Sequence, residues 1–285
     1  MKTVNCPRSG VVTPISRRRL AQIKNSSAFN RTELVVTLAI LVVLAALIAG
    51  WFSVSKVRAA GDVCLANLKS LGVAGSMYAQ DNQGYFAYAD WNGGKAGGPA
   101  GWLYKADVNG VPDPTRPPYN DGSNGLCYSS GTYLKYMPDT KSYLCPEDIK
   151  DPNFLQRKNK LSSYVMNGAV TGFAGTRDGH WLEGRQLAKV NQVTNTLSIL
   201  MWEADTKDAT GHLELEYDDG ANFPGSNRFS WYNENIAPLH SKDGGQVLTI
   251  DGHVESYTRD QFRCQSEQPG LSLLWWSPFS DTGHF

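Results

Sequence analysis

The strongest hydrophobic pattern lies near the N-terminus. Residues 34–52 read LVVTLAILVVLAALIAGWF, in which Thr37 is the one polar side chain. A helix needs about 20 apolar residues to cross the hydrocarbon core of a bilayer, and a soluble core helix rarely runs this long without a charge. The pattern therefore predicts a membrane-spanning helix, with Trp51 and Phe52 where interfacial aromatic side chains lie.

A second, amphipathic pattern follows this run. Its apolar positions recur at spacings of four and three residues, which is typical of one face of an α-helix. These positions are Cys64, Leu68, Leu71, Gly75 and Tyr78. Gly84 stands where a helix C-cap is expected. We expect an N-terminal helix over 29–84, with its membrane span at about 34–52 and an exported half at 53–83.

The remaining residues, 85–285, predict a globular head. Segments rich in glycine and proline at 93–101 and 111–125 indicate long loops. Strand patterns occur at 162–167 and 195–203, and Asp251-Gly252 between two short strands predicts a hairpin. The expected fold class is α+β, in which a long N-terminal transmembrane helix packs against an antiparallel β-sheet head with long loops.

The net charge of zero hides an asymmetry along the chain. Six basic and no acidic residues precede Phe29, which leaves 21 basic and 27 acidic residues in the rest. An acidic body argues against nucleic-acid binding, which needs basic residues gathered on the folded domain. The basic end places the N-terminus in the cytoplasm and the head outside.

Three segments resemble the type IV pilin-like proteins and the type II secretion pseudopilins. Residues 28–34 (AFNRTEL) resemble a prepilin processing site, with a small residue, an aromatic, three further residues, Glu and Leu before an apolar helix. Residues 64–86 resemble the following helix of pseudopilin-like proteins. Residues 239–257 resemble a C-terminal signature with His nine residues before Asp-Gly, although ten residues separate His240 from Asp251 here.

The resemblance implies how the chain is processed and assembled. A prepilin peptidase would cut between Ala28 and Phe29, removing a basic leader over 1–28, and would N-methylate Phe29. Glu33 would pair with the N-terminal amine of a neighbouring subunit. The implied protein is a structural subunit, not an enzyme, that joins other pilin-like subunits in a homo- or hetero-filament of a type II secretion or type IV pilus-like machine.

The implied location is the cytoplasmic (inner) membrane. The chain would be single-pass and in contact with membrane lipid, with its head in the periplasm or at the cell surface. The alternative function is a membrane-anchored exported module that binds a glycan or an envelope ligand. Trp91, Trp102 and Tyr104 are candidates for a glycan platform, and the alternative is that they pin a loop to the domain.

The chemistry-bearing residues give weaker patterns. GxSxG, HExxH and P-loop motifs are absent from the sequence. Cys127 and Cys145 are candidates for a disulfide within one loop-rich segment, and buried free thiols are the alternative. We expect no cofactor, unless calcium or zinc binds at His240, Asp251 and His253, with Glu203 and Glu255 nearby. The alternative there is a hydrogen-bonded hairpin.

Overall fold

The structure is a computed structural model of the 285-residue chain. It describes residues 30–90, 99–120, 125–172, 176–177, 180–181, 187–205, 219–222, 224, 235–240 and 243–283. The leader 1–28 and the predicted cleavage site between Ala28 and Phe29 lie outside these residues.

The chain divides into two compact units, Met1–Gly50 and Trp51–Phe285. Helix α1 (Arg31–Asp81) begins in the described part of the first unit. The backbone N–H of Asn30 donates to Glu33 Oε2 at 3.0 Å, and Leu34 N–H donates to the Asn30 carbonyl at 3.0 Å. Glu33 also lies in the first turn, where a carboxylate favours the partial positive charge of the helix N-terminus. These contacts fix the start of α1 directly after Asn30.

The prediction of a transmembrane helix at 34–52 is corrected. Among the residues that the structure describes, no helix has the length and apolarity that a membrane crossing requires.

Among the described residues, five strands form the main sheet of the second unit: β1 (Tyr164–Asn167), β4 (Ile199–Glu203), β5 (Ala221–Asn222), β6 (Gly244–Thr249) and β7 (Val254–Thr258). Across the sheet they lie in the order β5-β1-β4-β6-β7. A separate two-stranded ribbon pairs β2 (Thr176–Arg177) with β3 (His180–Trp181).

The sheet is mixed, which corrects the predicted antiparallel sheet. The pairs β1–β4, β4–β6 and β6–β7 are antiparallel, whereas β5 pairs with β1 in parallel. The parallel ladder is short, with Met166 opposite Ala221 and Asn167 opposite Asn222. A two-residue strand is too short to carry a periodic hydrophobic pattern, so the sequence did not predict it.

The second half of α1 covers one face of this sheet. Cys64, Leu68 and Leu71 of the predicted stripe are buried, as expected. A Cβ atom at Gly72 would lie 3.1 Å from Leu248 Cδ1 of β6, so the helix and the sheet approach each other closely here. The helix ends near its predicted cap, since Gly84 has a φ of 85° and donates its N–H to the Ala79 carbonyl at 2.8 Å.

The described part of the second unit also contains short helices before, between and after the strands. The α-helices are α2 (Gly125–Tyr128), α3 (Gly168–Thr171) and α4 (Arg259–Ser266). The 3-10 turns are Thr140–Tyr143, Asp148–Lys150, Phe154–Gln156 and Val190–Gln192. Helix α4 begins with a capping box between Thr258 and Gln261, which ends β7 and starts the helix in adjacent residues.

Side-chain alternation gives the sheet two buried faces. Met166 of β1 and Leu248 of β6 pack with α1 in one hydrophobic cluster. Val165 and Val247, their neighbours in sequence, pack on the other face with Phe262 of α4. Because α1 and α4 cover opposite faces, the strands β1, β4 and β6 are buried throughout. The face of the sheet next to α1 positions the buried residues considered next.

Candidate functional site

The first unit exposes an apolar helical surface. Ten large apolar side chains of α1 between Leu34 and Leu47 are exposed, with Val42 exposed by 68% and Leu44 by 48%. They include the consecutive residues 40–44, so the apolar side chains surround the helix and do not form a single stripe. Monomeric proteins rarely expose contiguous apolar surface of this kind. Where such a surface occurs, it usually marks an interaction site.

Glu33 lies at the N-terminal border of this surface. Its side chain is exposed, and Oε2 accepts the Asn30 N–H at 3.0 Å. The structure therefore places the predicted assembly residue at the boundary between a polar cap and the apolar surface. Ala28 and Phe29, the predicted processing residues, lie outside the described part of the chain.

The predicted metal ligands separate into two places in the second unit. Asp251 Oδ1 accepts from Thr249 Oγ1 at 2.5 Å and from His253 N–H at 3.1 Å, within the turn between β6 and β7. The His253 side chain is exposed and lies 3.9 Å from Glu255. Asp251 and His253 thus belong to a hydrogen-bonded hairpin, whereas His240 belongs to a different group of side chains.

That group is the buried cluster of Cys64, Cys145, Glu203 and His240. One potential ligand atom from each residue lies within 4.8 Å of the others. Cys64, Cys145 and Glu203 are fully buried, and the His240 side chain is 8% exposed. His240 Nε2 lies 2.9 Å from Glu203 Oε1 and 3.4 Å from Cys145 Sγ. We refer to these four residues as the thiol–histidine cluster.

The turn that carries Cys145 is anchored by a buried ion pair. The N–H of Cys145 donates to Ser163 Oγ at 2.8 Å, and Ser163 Oγ donates to Asp148 Oδ2 at 2.6 Å. Asp148 in turn forms a bidentate pair with Arg157, and both side chains are almost fully buried. Bidentate pairing fixes orientation as well as position, so the thiol of Cys145 is held beside the start of β1.

Strand β4 and the segment 235–240 bring Glu203 and His240 together. Ala204 bridges Ile236, and Ala237 N–H donates to the Glu203 carbonyl at 2.8 Å. Because Trp202 faces α4, the next residue, Glu203, faces α1 and Cys64. Its Oε2 accepts the Gln246 N–H at 2.8 Å, which leaves Oε1 directed at His240.

The buried side chains of the thiol–histidine cluster shift each other's pKa values. The hydrogen bond with Cys64 lowers the pKa of Cys145 to about 6, in spite of burial, and contact with His240 adds to this. The same thiol pair and burial raise the pKa of Cys64. Burial lowers the pKa of His240, but its hydrogen bonds with Cys145 and Glu203 outweigh this effect and raise it to about 10. The cluster therefore favours a thiolate at Cys145 next to a protonated His240.

The cluster does not have the geometry of a cysteine nucleophile with a histidine base. In such a triad one ring nitrogen contacts the thiol and the other contacts the carboxylate. Here both Cys145 and Glu203 approach Nε2, and Nδ1 has no hydrogen-bond partner among the described residues. Cys145 is also fully buried, so a substrate has no access to its sulfur.

The structure does not join the cysteines of the predicted disulfide. Neither Cys127 nor Cys145 forms a disulfide in the structure. Cys127 packs in the hydrophobic cluster below α1, with its Sγ 3.9 Å from the Tyr119 carbonyl, whereas Cys145 belongs to the thiol–histidine cluster. Both thiols are fully buried.

Two of the three residues of the candidate glycan platform lie in the hydrophobic core. Trp102 and Tyr104 are at most 1% exposed, and Trp102 Nε1 donates to the Gly220 carbonyl at 2.9 Å. Buried rings cannot present a face to a sugar. Trp91 lies outside the described residues.

The sequence singled out each residue of the thiol–histidine cluster separately, but it did not predict that the four side chains lie together. Cys64 belonged to the predicted helical stripe, Cys145 to the predicted disulfide, and His240 and Glu203 to the metal hypothesis. Their sequence separations run from tens of residues to well over one hundred, so spacing alone could not join them. No protein-family description, curated protein or solved structure matches the chain.

Proposed function

We propose that the protein is a structural pilin-like subunit that assembles through its N-terminal helix. Prepilin peptidase cuts the precursor between Ala28 and Phe29, and the mature helix then packs against the helices of other subunits. The assembly is a filament of the type II secretion or type IV pilus-like kind. The globular unit is the exported part of the subunit.

One observation carries this proposal. Helix α1 starts at Arg31, has a carboxylate in its first turn and exposes apolar side chains around the helix from Leu34 to Leu47. Burying apolar surface contributes roughly 25 cal/mol per Å², so ten exposed apolar side chains favour association strongly. The N-terminal helices of neighbouring subunits carry the same apolar surface, so they can pack against α1 and cover it.

Glu33 supplies the specificity of this association. A carboxylate at the edge of an apolar surface is costly to bury unless it meets a cation. The new N-terminal amine at Phe29 of a neighbouring subunit is such a cation. The pair sets the stagger of adjacent helices, since a carboxylate displaced from its partner would remain buried and unpaired.

Two substitutions test assembly through the helix. Val42→Asp places a charge within the exposed apolar surface, and Glu33→Ala removes the carboxylate. We expect both variants to be processed like the wild type but to be lost from sheared or sedimented filament fractions. Val108→Asp is the matched control, because Val108 is an exposed valine of the second unit.

The control should assemble like the wild type. Filaments of Val42→Asp at the wild-type level would contradict assembly through this surface. Normal assembly of Glu33→Ala would contradict the pairing role while leaving the packing role intact.

A further inference from the structure

We propose that the thiol–histidine cluster is a structural zinc site, with Cys64, Cys145, Glu203 and His240 as its four ligands. This inference is independent of filament assembly, because it concerns only the second unit. It also replaces the ligand set that the sequence suggested, since Asp251 and His253 belong to the hairpin turn.

The ligand types select the metal. Zinc is bound in proteins by Cys thiolates, His nitrogens and carboxylate oxygens, and the cluster offers two thiols, one imidazole and one carboxylate. Calcium and magnesium instead take oxygen ligands, typically six or more. Among the described residues this is the one group of three or more such side chains whose ligand atoms converge.

One separation within the cluster fits a tetrahedral zinc ion, and a second would have to lengthen slightly. Ligands at zinc bond lengths of about 2.0–2.3 Å stand about 3.3–3.8 Å apart. The separation of Cys145 Sγ and His240 Nε2 is 3.4 Å, within this range. His240 Nε2 and Glu203 Oε1 are 2.9 Å apart, so a bound ion would need them to separate by about 0.4 Å.

Neighbouring groups hold the ligands in place. The second carboxylate oxygen of Glu203 is occupied by the Gln246 N–H at 2.8 Å, which leaves Oε1 for the ion. The Ser163–Asp148–Arg157 network described above fixes the Cys145 turn. Such support is typical of metal sites, whose ligands are oriented by outer hydrogen bonds.

The positions of the four ligands in the fold indicate that the zinc ion would have a structural role. They come from α1, the turn before Asp148, the end of β4 and the segment 235–240, so one ion would tie four separate segments together. Four protein ligands leave no open position for a substrate, unlike the three ligands of a catalytic zinc site. Burial of all four side chains agrees with a closed site.

The alternative to zinc binding is a disulfide bond between Cys64 and Cys145. The two sulfur atoms lie within 4.8 Å of each other, and a disulfide would bring them to about 2.05 Å. Oxidation would remove both thiolates and would leave His240 paired with Glu203 alone. A zinc site and a disulfide therefore differ in the number of free thiols and in metal content.

The test uses the full chain, kept reduced, freed of metal with a chelator and held in mild detergent because α1 exposes apolar side chains. Zinc chloride is titrated calorimetrically, and metal content is measured after gel filtration. We expect one zinc ion per chain. Cobalt(II) in place of zinc should give thiolate-to-cobalt charge-transfer bands and the intense visible bands of tetrahedral coordination.

Matched variants assign the ligands. Cys145→Ser and His240→Gln should weaken zinc binding by more than about 100-fold, beyond what outer-shell changes cost. Cys127→Ser and His253→Gln change a buried thiol and an exposed histidine outside the cluster, and both should bind zinc like the wild type. If a cluster variant does not fold, the cobalt spectrum of the wild type decides.

Three results would overturn the proposal. The first is that the reduced wild type takes up no zinc or gives a cobalt spectrum without thiolate bands. The second is that His240→Gln binds zinc as tightly as His253→Gln. The third is a Cys64–Cys145 disulfide in the chain isolated from its native compartment, detected by peptide mapping after thiol alkylation.

Discussion

At the scale of single residues, Gly245 limits the space around the thiol–histidine cluster. A Cβ atom there would lie 2.6 Å from the Ala237 carbonyl oxygen and 2.9 Å from Glu203 Oε2. Both distances are shorter than real Cβ contacts, and one of the neighbours is backbone. Glycine at this position lets the segment 235–240 approach β6 closely enough for His240 to reach Glu203.

We therefore predict that Gly245→Ala destabilises the second unit by about 1–3 kcal/mol, the usual cost of overpacking a close contact. Chemical denaturation followed by tryptophan fluorescence measures this change. Gly270→Ala is the matched control, because nothing lies within 4 Å of a Cβ atom at Gly270. Equal stability of the two variants would mean that the close approach at Gly245 does not constrain the fold.

Individual residues also show where sequence reasoning succeeded and where it stopped. Leu68 and Leu71 are buried as the helical stripe predicted, since local periodicity reports which face of a helix is covered. Cys145 lies with Cys64 and His240 through tertiary contacts across long sequence separations. Local patterns carry no information about such contacts, so Cys145 was paired with a cysteine near it in sequence.

At the scale of elements, the β6–β7 hairpin depends on one turn residue. Asp251 accepts hydrogen bonds from the Thr249 hydroxyl and the His253 N–H, and Gly252 has a φ of 86°. The hydrogen bond from Thr249 lowers the pKa of Asp251, and the His253 N–H adds to this effect. The folded protein thus favours the ionised carboxylate more than the unfolded chain does.

We predict that Asp251→Ala destabilises the protein by about 0.5–1.5 kcal/mol at pH 7, the usual contribution of such hydrogen bonds. Because the folded pKa is lowered, this contribution is present above the unfolded pKa of about 3.9 and is lost as pH falls through the folded pKa. Thermal unfolding from pH 7 to pH 3 measures the difference between the two proteins. Asp62→Ala, on the exposed face of α1, is the control.

The difference between wild type and Asp251→Ala should shrink towards pH 3. A difference that stays constant with pH would contradict a role for the ionised carboxylate. The hairpin itself was predictable, because an Asp-Gly pair between two apolar runs is a strong local signal. The parallel strand β5 was not, since its two residues are placed by pairing with β1 and not by a pattern of their own.

At the scale of the whole molecule, the two units have different surface chemistry. The second unit buries its apolar side chains on both faces of a mixed sheet, whereas the first exposes them around α1. Self-association is the simplest way to cover the apolar side chains of the first unit, and this is the basis of the proposed assembly. The proposed zinc site lies within the second unit.

The most direct test of this account is the intact mass and N-terminal sequence of the chain recovered from sheared filament fractions. Pilin-like processing predicts a chain that begins at N-methylated Phe29 and is enriched in those fractions. A chain that begins at Met1 and is absent from any filament fraction would contradict the account.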